Sequence, residues 1–282
     1  MNSNRNFAVF IPSHGRAETI ITPHTLRDLG YTGKIFIVCD DEDEQLDRYK
    51  AVYQDSLIVF SKKEYSFIDT MDTNTDRKGV VYARIFIPHA AKQKKCTHFC
   101  VIDDDLLGLD FRFEREGKLV IKRITDADAV FDAMLDLLDS TSINCIAFAQ
   151  GGDFVGGLDN KNYLNKYSRK VMNSFFCKAS SFLDFRGRVN EDVVAYVLGG
   201  MRGQLNFTTY DICLNQRTTQ KVSGGLTELY RQQGTYIKTM YSVLAAPGIV
   251  KISTTGKSSP RVHHHVSGNA CYPLIISEKF KK

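Results

Sequence analysis

Three consecutive aspartates, Asp103 to Asp105, end an apolar run in the segment VIDDDLLGLD (101–110). Side chains alternate along a strand, so an extended backbone would place Asp103 and Asp105 on one side and Asp104 on the other. Paired carboxylates can bind a hard divalent cation, which takes oxygen ligands and keeps positions open for phosphate. Adjacent acids repel one another unless a cation or a basic group balances them. The triplet therefore predicts a metal site, and the alternative is a solvated acidic turn.

A second acidic pair, Glu191 and Asp192, lies in RVNEDVVAY (188–196), where the pattern predicts the start of a helix. A carboxylate within hydrogen-bond reach of an acceptor hydroxyl can remove its proton. Acids at a helix start are also stabilised by the helix dipole without any catalytic role. The sequence leaves both interpretations open.

The elements that must position these residues alternate in the first half of the chain. Apolar runs predict strands at 7–12, 34–41, 56–60 and 98–105, with helical segments ending near residue 29 and covering 42–52 and 79–94. Such alternation is typical of a parallel sheet covered on both faces, with ligands bound beyond the carboxyl ends of the strands. The predicted fold class is α/β.

The second half is mixed in pattern. It predicts a hairpin at 111–124, helices at 129–139, 190–203 and 226–246, strands at 143–149, 172–179 and 205–215, and an irregular tail from Pro247. The simplest architecture is a single Rossmann-like domain with a mainly parallel central sheet and a mixed C-terminal half.

Composition excludes several classes of protein. The chain has 282 residues, of which 43% are apolar and 24% charged, so disorder or a fibrous repeat is not expected. No apolar run is long enough for a membrane span, and the N-terminus lacks the pattern of a signal peptide. Seven cysteines, mostly within apolar runs, predict reduced thiols in the cytoplasm.

Charge is distributed unevenly along the chain. Residues 160–282 contain 18 Lys and Arg against 6 Asp and Glu, whereas residues 1–159 contain 19 against 26. An acidic half joined to a basic half favours an anionic macromolecular partner for the second half. A dispersed basic surface without a partner is the alternative.

Four motifs in order give the chain a family resemblance. FIPSHGR (10–16), IVCDD (37–41), GVVYAR (79–84) and DDD (103–105) resemble the sequence-order signature of the GT-A glycosyltransferases. The resemblance implies a GT-A-like fold, a UDP-sugar donor and a Mn²⁺ or Mg²⁺ ion. It also implies that residues 7–110 bind the donor, 111–250 bind the acceptor, and 251–282 close over the donor site.

Site residues follow from the same resemblance. Asp105 would bind the metal, Asp103 would contact the metal and the ribose, and Asp40 or Asp41 would contact the base. The chain departs from the family motif at Ile85, where an asparagine usually follows Ala-Arg. The implied donor-binding residues are Pro12, Ser13, His14, Arg16, Asp40, Asp41, Arg77, Arg84, Asp103, Asp104, Lys257, Ser258 and Arg261.

Two later features fit the family plan. Glu191 and Asp192 are similar to the Glu-Asp pair of inverting members, in which the aspartate acts as the base. A histidine of the C-terminal segment often completes the metal shell in such enzymes. His263 and His265 would share one face of an extended RVHHHV segment, and His265 is narrowly favoured.

Basic and aromatic residues interleave before the acidic pair, as binding to a nucleic-acid backbone and stacking on bases require. The glycines of GGDFVGG (151–157) allow close backbone approach, and Phe154 could serve as a wedge or stacking surface for a flipped base. The predicted acceptor-binding residues are Gly151, Gly152, Asp153, Phe154, Lys166, Arg169, Lys170 and Arg188.

The compact length, the PSHGR loop and the DDD triplet resemble the TET/JBP-associated glycosyltransferases, a group found widely in bacteriophages. That resemblance implies sugar transfer to 5-hydroxymethylpyrimidines, such as 5-hydroxymethylcytosine, in DNA. It also implies a protein that does not associate with a membrane and that, if it is of phage origin, acts in the cytoplasm of the host cell.

The main alternative is a GT-A enzyme with a protein, lipid or small-molecule acceptor. A nucleotidyltransferase and a non-catalytic DNA-binding module fit less well, because PSHGR is a poor phosphate loop and a carboxylate triplet repels phosphate unless metal is bound.

Overall fold

The computed structural model describes residues 5–65, 77, 79–165, 169–217, 227–255 and 260–273. The strands of this part are β1 (Phe7–Pro12), β2 (Lys34–Asp40), β3 (Leu57–Phe60), β4 (His98–Ile102), β5 (Leu106–Arg115), β6 (Lys118–Arg123), β7 (Cys145–Gln150), β8 (Ser174–Lys178), β9 (Asn206–Gln216), β10 (Val250–Thr255) and β11 (Arg261–Val266). The helices are α1 (Thr22–Asp28), α2 (Leu46–Tyr53), α3 (Val81–Gln93), α4 (Ala127–Ser140), α5 (Lys161–Asn165), α6 (Glu191–Met201), α7 (Thr227–Ala245) and α8 (Gly268–Cys271).

Nine strands form one sheet in the order β3-β2-β1-β4-β8-β7-β9-β5-β6. The first four are mutually parallel. Beyond them, β8 and β5 run opposite to the other strands of the sheet. The predicted α/β class with a mainly parallel sheet and a mixed second half is therefore confirmed.

The apolar sequence of β1 explains its central position. All six of its residues are buried. Ala8 and Phe10 pack into a core that also includes residues of α3 and α6. Val9 and Ile11 pack into a second core, which includes residues of α1 and α4. Because the two faces of the strand enter different cores, helices cover the sheet on both sides.

Two helix starts have clear local causes. The Asp126 side chain accepts a hydrogen bond of 2.9 Å from the backbone N–H of Ala129, which caps α4. Pro23 lies in the first turn of α1, where its missing N–H costs nothing. The helix begins at Thr22, at the end of the loop that follows β1.

The prediction of an irregular tail is wrong for most of its described residues. β10 and β11 form an antiparallel hairpin, in which Val250 pairs with Val266 and Ser253 with His263. The hairpin packs against α7. The residues of β11 alternate between exposed and partly buried positions, so one face of this strand packs inward while the other faces solvent.

All seven cysteines are buried and unpaired. Of the helices formed by the described residues, none combines the length and apolar character needed to cross a bilayer.

Candidate active site

The loops that follow β1 and β4 are joined through the middle aspartate of the triplet. Ser13 Oγ donates a hydrogen bond of 2.7 Å to Asp104, and Arg16 Nη1 lies 2.8 Å from the other carboxylate oxygen. Asp104 is only 6% exposed, and burial raises its pKa although Arg16 opposes this. Asp104 therefore holds the two loops together at the carboxyl edge of the sheet.

The outer aspartates of the triplet are more open. Asp103 and Asp105 are half-buried, and Asp105 accepts a hydrogen bond of 2.9 Å from Gln216 Nε2 at the end of β9. Burial raises the pKa of Asp105 to about 6, and the charges of Asp103 and Asp104 add to the effect. A bound cation would relieve this repulsion, and these oxygen donors suit Mg²⁺ or Mn²⁺.

Arg84 of α3 joins the triplet to the second acidic pair. Its Nη2 lies 2.9 Å from Asp103 Oδ1, and its Nη1 forms an ion pair with Glu191 Oε1. Burial by itself would lower the pKa of Arg84, yet the charges of Asp103 and Glu191 raise it above its ordinary value. Arg84 was predicted only to lie near the nucleotide. The structure places it between two carboxylates.

Glu191 and Asp192 begin α6 and are both buried, as is Asn190 before them. Burial raises the pKa of Glu191, while the charge of Arg84 opposes that rise. Asp192 Oδ1 accepts the backbone N–H of its neighbour Val193 at 2.8 Å. Because Glu191 is committed to Arg84, Asp192 is the member of the pair better suited to accept a proton.

The loop after β2 brings a further cluster to the same edge. His14 Nδ1 lies 2.8 Å from Asp40 and 3.3 Å from Asp43, and Lys62 Nζ lies 3.1 Å from Asp40. Burial would raise the pKa of Asp40, but the hydrogen bond from His14 and the charge of Lys62 lower it. Among the described residues, His14, Asp40 and Asp43 are the group of three potential metal ligands whose ligand atoms lie within 4.8 Å of one another. The ammonium group of Lys62 already balances part of the negative charge of this group.

Asp41 and Arg77 occupy the rim of this loop. Asp41 is exposed, and its carboxylate accepts the backbone N–H of Lys62 at 2.9 Å. Arg77 pairs with Glu42. With Asp40 held by His14 and Lys62, Asp41 has the more accessible carboxylate of the two predicted base readers.

The C-terminal hairpin reaches the site through its middle histidine. Asn190 Nδ2 lies 3.3 Å from His264 Nδ1 and also donates to Ser242 of α7. Burial lowers the pKa of His264 to about 4, and the charge of His263 adds to this. His263, His265 and Arg261 lie on the exposed face of β11, and no ligand group among the described residues combines these histidines with the triplet. Lys257 and Ser258 lie outside the described residues.

The described members of the predicted acceptor-binding set lie in different surroundings. Lys170 forms an ion pair with buried Asp153, which shares a capping arrangement with Gln150. Phe154 is 7% exposed and packs beside Tyr163 and Tyr210, so it offers little ring surface to a base.

The remaining members of the acceptor set differ in exposure. Gly151 and Gly152 are exposed, Arg169 is half-exposed, and Arg188 is buried. Lys166 lies outside the described residues.

Several residues of the site gave no sequence signal. Lys62, Gln216 and Asn190 are isolated polar residues in ordinary contexts, and only the folded chain brings them to the carboxylates. Asp43 lies within the acidic run DDEDEQLD (40–47), but nothing in that run singles it out.

A family model described as TET-associated glycosyltransferase matches residues 7–225. No curated protein matches the chain at a significant level.

Among matching solved structures are complexes of glucosyl-3-phosphoglycerate synthase from Mycobacterium tuberculosis. The complex with Mg²⁺ and UDP has a TM-score of 0.47 and 13% identity, covering 93% of this chain and 88% of that chain. The complex with Mn²⁺, UDP-glucose and phosphoglyceric acid has a TM-score of 0.47 and 12% identity, covering 93% and 86%. The complex with Mn²⁺, UDP-glucose and glycerol 3-phosphate has a TM-score of 0.48 and 12% identity, covering 89% and 84%.

Proposed function

The chain belongs to the TET-associated glycosyltransferases, and from that premise we propose that it moves a sugar from a UDP-sugar to the hydroxymethyl group of a modified pyrimidine in DNA. Membership makes it a glycosyltransferase. The observation that carries the donor side of the proposal is that side-chain bonds join the loops after β1, β2 and β4. Ser13 binds Asp104, which lies between the half-buried Asp103 and Asp105, and His14 binds Asp40.

Asp103 and Asp105 would hold a Mn²⁺ or Mg²⁺ ion. Their fit to a cation is supported by the raised pKa of Asp105, which burial and its two charged neighbours cause. Such an ion offsets the negative charge that develops on the departing diphosphate. Asp104 is left out of this set, because Ser13 and Arg16 already engage its two oxygens.

Asp41 would face the nucleotide base at the rim of the β2 loop, and His14 of the β1 loop would offer it a further contact. His14 is 46% exposed at its side chain while Asp40 and Asp43 hold one ring nitrogen. The other ring nitrogen is thereby oriented for a donor contact. Arg261 and the predicted residues Lys257 and Ser258 would approach the diphosphate from the C-terminal segment.

Asp192 would take the proton of the acceptor. As the hydroxymethyl oxygen bonds to the anomeric carbon of the sugar, the bond from that carbon to the diphosphate oxygen breaks. The hydroxyl proton passes to the Asp192 carboxylate. Glu191 stays bound to Arg84 throughout.

A DNA acceptor is supported by the TET association in the family description and by the basic second half of the sequence. The buried, unpaired thiols support a reducing compartment, which for a phage protein would be the host cytoplasm. The division into donor, acceptor and closing segments at residues 110 and 250 is part of the same proposal.

The test incubates the protein with Mn²⁺, a panel of UDP-sugars and duplex DNA containing 5-hydroxymethylcytosine, 5-hydroxymethyluracil or only unmodified bases. Nucleoside mass spectrometry should show a mass gain of one sugar on a hydroxymethylated nucleoside alone. Asp105→Ala should remove the gain, whereas the surface variant Asp47→Ala should retain it, because Asp47 lies on α2 with its side chain in solvent. UDP release with a protein or lipid extract, and none with any of the three DNAs, would replace the DNA acceptor by the alternative class.

A further inference from the structure

Arg84 is a buried cation between two segments that are far apart in sequence. It is 2% exposed, and its guanidinium lies 5.0 Å from the ring centroid of Phe175 and 5.8 Å from that of Phe185. One arm of the guanidinium binds Asp103, 19 residues away, and the other binds Glu191, 107 residues away. A guanidinium is suited to this position, because its rigid planar fork can hold two carboxylates in fixed directions.

The backbone around Arg84 is close-packed as well. Gly79, just before α3, adopts a φ of 117°, and a Cβ there would lie 3.2 Å from the carbonyl oxygen of Arg188. The start of α3 therefore lies against the segment that leads into α6. On its other side, the turn at Asn190 is held by Ser242 and by His264 of the C-terminal hairpin.

We propose that Arg84 is a positioning residue that locks Asp103 and the Glu191–Asp192 turn into one unit, so that the proton acceptor keeps a fixed position relative to the donor's cation. The inference rests on the proposed function and deepens it. Among the described residues, the contacts of the Arg84 guanidinium are to these carboxylates and two aromatic rings, so its effect on the reaction is expected to pass through Asp103 and Glu191.

Two measurable consequences follow. Loss of the Arg84 contact should weaken Mn²⁺ binding about 10- to 100-fold, the usual cost of removing a partner that orients a metal ligand. It should also lower kcat about 10²-fold, because a displacement of about 1 Å in a reacting group has that effect.

The experiment compares three variants in the full chain. Arg84→Lys keeps the charge but cannot reproduce the two-armed geometry, and Arg84→Met removes the charge. The matched control is Arg5→Met: Arg5 is a partly buried arginine that is also bound to two carboxylates, Asp136 and Asp139 of α4, each at 2.7 Å. Mn²⁺ affinity in the presence of UDP is measured by calorimetry, kcat by sugar transfer, and Tm by calorimetric melting.

The expected result is that Arg84→Lys loses Mn²⁺ affinity and kcat while staying folded, and that Arg5→Met loses only Tm. If Arg84→Met does not fold, the lysine variant still decides the question. A double-mutant cycle adds a second readout: the losses in Mn²⁺ affinity from Arg84→Lys and Glu191→Gln should be non-additive, since both break the same bridge.

The proposal is overturned if Arg84→Lys behaves like Arg5→Met, or if the cycle is additive. These failures leave the wild-type enzyme binding Mn²⁺ and UDP and transferring sugar. Failure of the wild type itself to do so would instead overturn the proposed function, and this inference with it.

Discussion

The two ends of the central sheet are built differently. At one end, β3, β2, β1 and β4 are parallel and contributed by the first 102 residues. At the other end, β8, β7, β9, β5 and β6 mix directions, and β5 pairs with β9 from a distant part of the chain. All four strands of the first end come from the acidic half of the sequence, residues 1–159. Of the five strands at the other end, three come from that half and two from the basic half, residues 160–282.

This difference shows how the site is assembled. The parallel end supplies short motifs at strand ends, and parallel strands place those ends at one edge. The mixed end supplies single side chains to that same edge: Gln216 reaches Asp105, and Glu191 reaches Arg84. The proposed donor site therefore draws mainly on short motifs of the parallel end, with Gln216 added from the mixed end, while the proposed acceptor chemistry depends on long-range packing.

The largest effect is expected at the parallel end. Asp105→Ala should abolish Mn²⁺-dependent UDP binding and lower turnover at least about 10³-fold, because a metal ion supplies several kcal/mol of charge stabilisation. Tm should change little, since the side chain is half-buried beside other carboxylates. UDP binding is measured by calorimetry with and without Mn²⁺. Undiminished turnover would remove Asp105 from the metal site.

At the mixed end, Asp192→Asn should lower kcat about 10²- to 10⁴-fold, the usual contribution of a general base. UDP affinity should stay near that of the wild type, because the proposed role of Asp192 is on the acceptor side. Glu191→Gln is the companion variant. A large loss of kcat in Glu191→Gln with a small one in Asp192→Asn would reverse the assignment, and no loss in either would make the pair structural.

The next largest effect is expected in the salt dependence of DNA binding, which tests the basic second half of the chain. Binding of DNA should weaken with salt, and each phosphate contact removed should lower the slope of log affinity against log salt by about 0.9. Replacing both Lys166 and Arg169 by alanine should lower this slope by the amount expected for two phosphate contacts. Lys170→Ala should lower it less, because Lys170 is already paired with Asp153. DNA affinity is measured across a salt series; a flat wild-type response would exclude a polyanionic acceptor.

The smallest effect concerns stability against pH. The pKa of Asp105 is about 6 when folded, above its ordinary value, so the folded state binds the extra proton between about pH 4 and pH 6. The stabilisation from Asp105 is therefore present at low pH and lost as pH rises through 6. Without added metal, Asp105→Asn should melt above the wild type at about pH 8 and match it at about pH 4. A Tm difference that does not depend on pH would contradict this environment for Asp105.

Much of the fold could be predicted because burial leaves a strong pattern. β1 and β4 are continuous apolar runs, as strands covered on both faces must be, and the 111–124 hairpin alternates around its turn. The C-terminal hairpin was missed. Its strands lie on the surface against α7, where burial is partial and the hydrophobic signal is correspondingly weak.

The sequence by itself determined the order of the motifs and which ends of the strands would carry carboxylates. That information is local, since a short apolar run followed by acids needs no distant partner to be recognised. Only the tertiary structure decided which acid does what. Asp104 is bound by Ser13 and Arg16, and Glu191 by Arg84, because partners from remote segments meet them in a buried space where an unpaired charge would be costly. Asp103 and Asp105 also have partners, Arg84 and Gln216, but both are half-buried and so stay accessible to a ligand. Together with Asp192 they are the carboxylates proposed for the reaction.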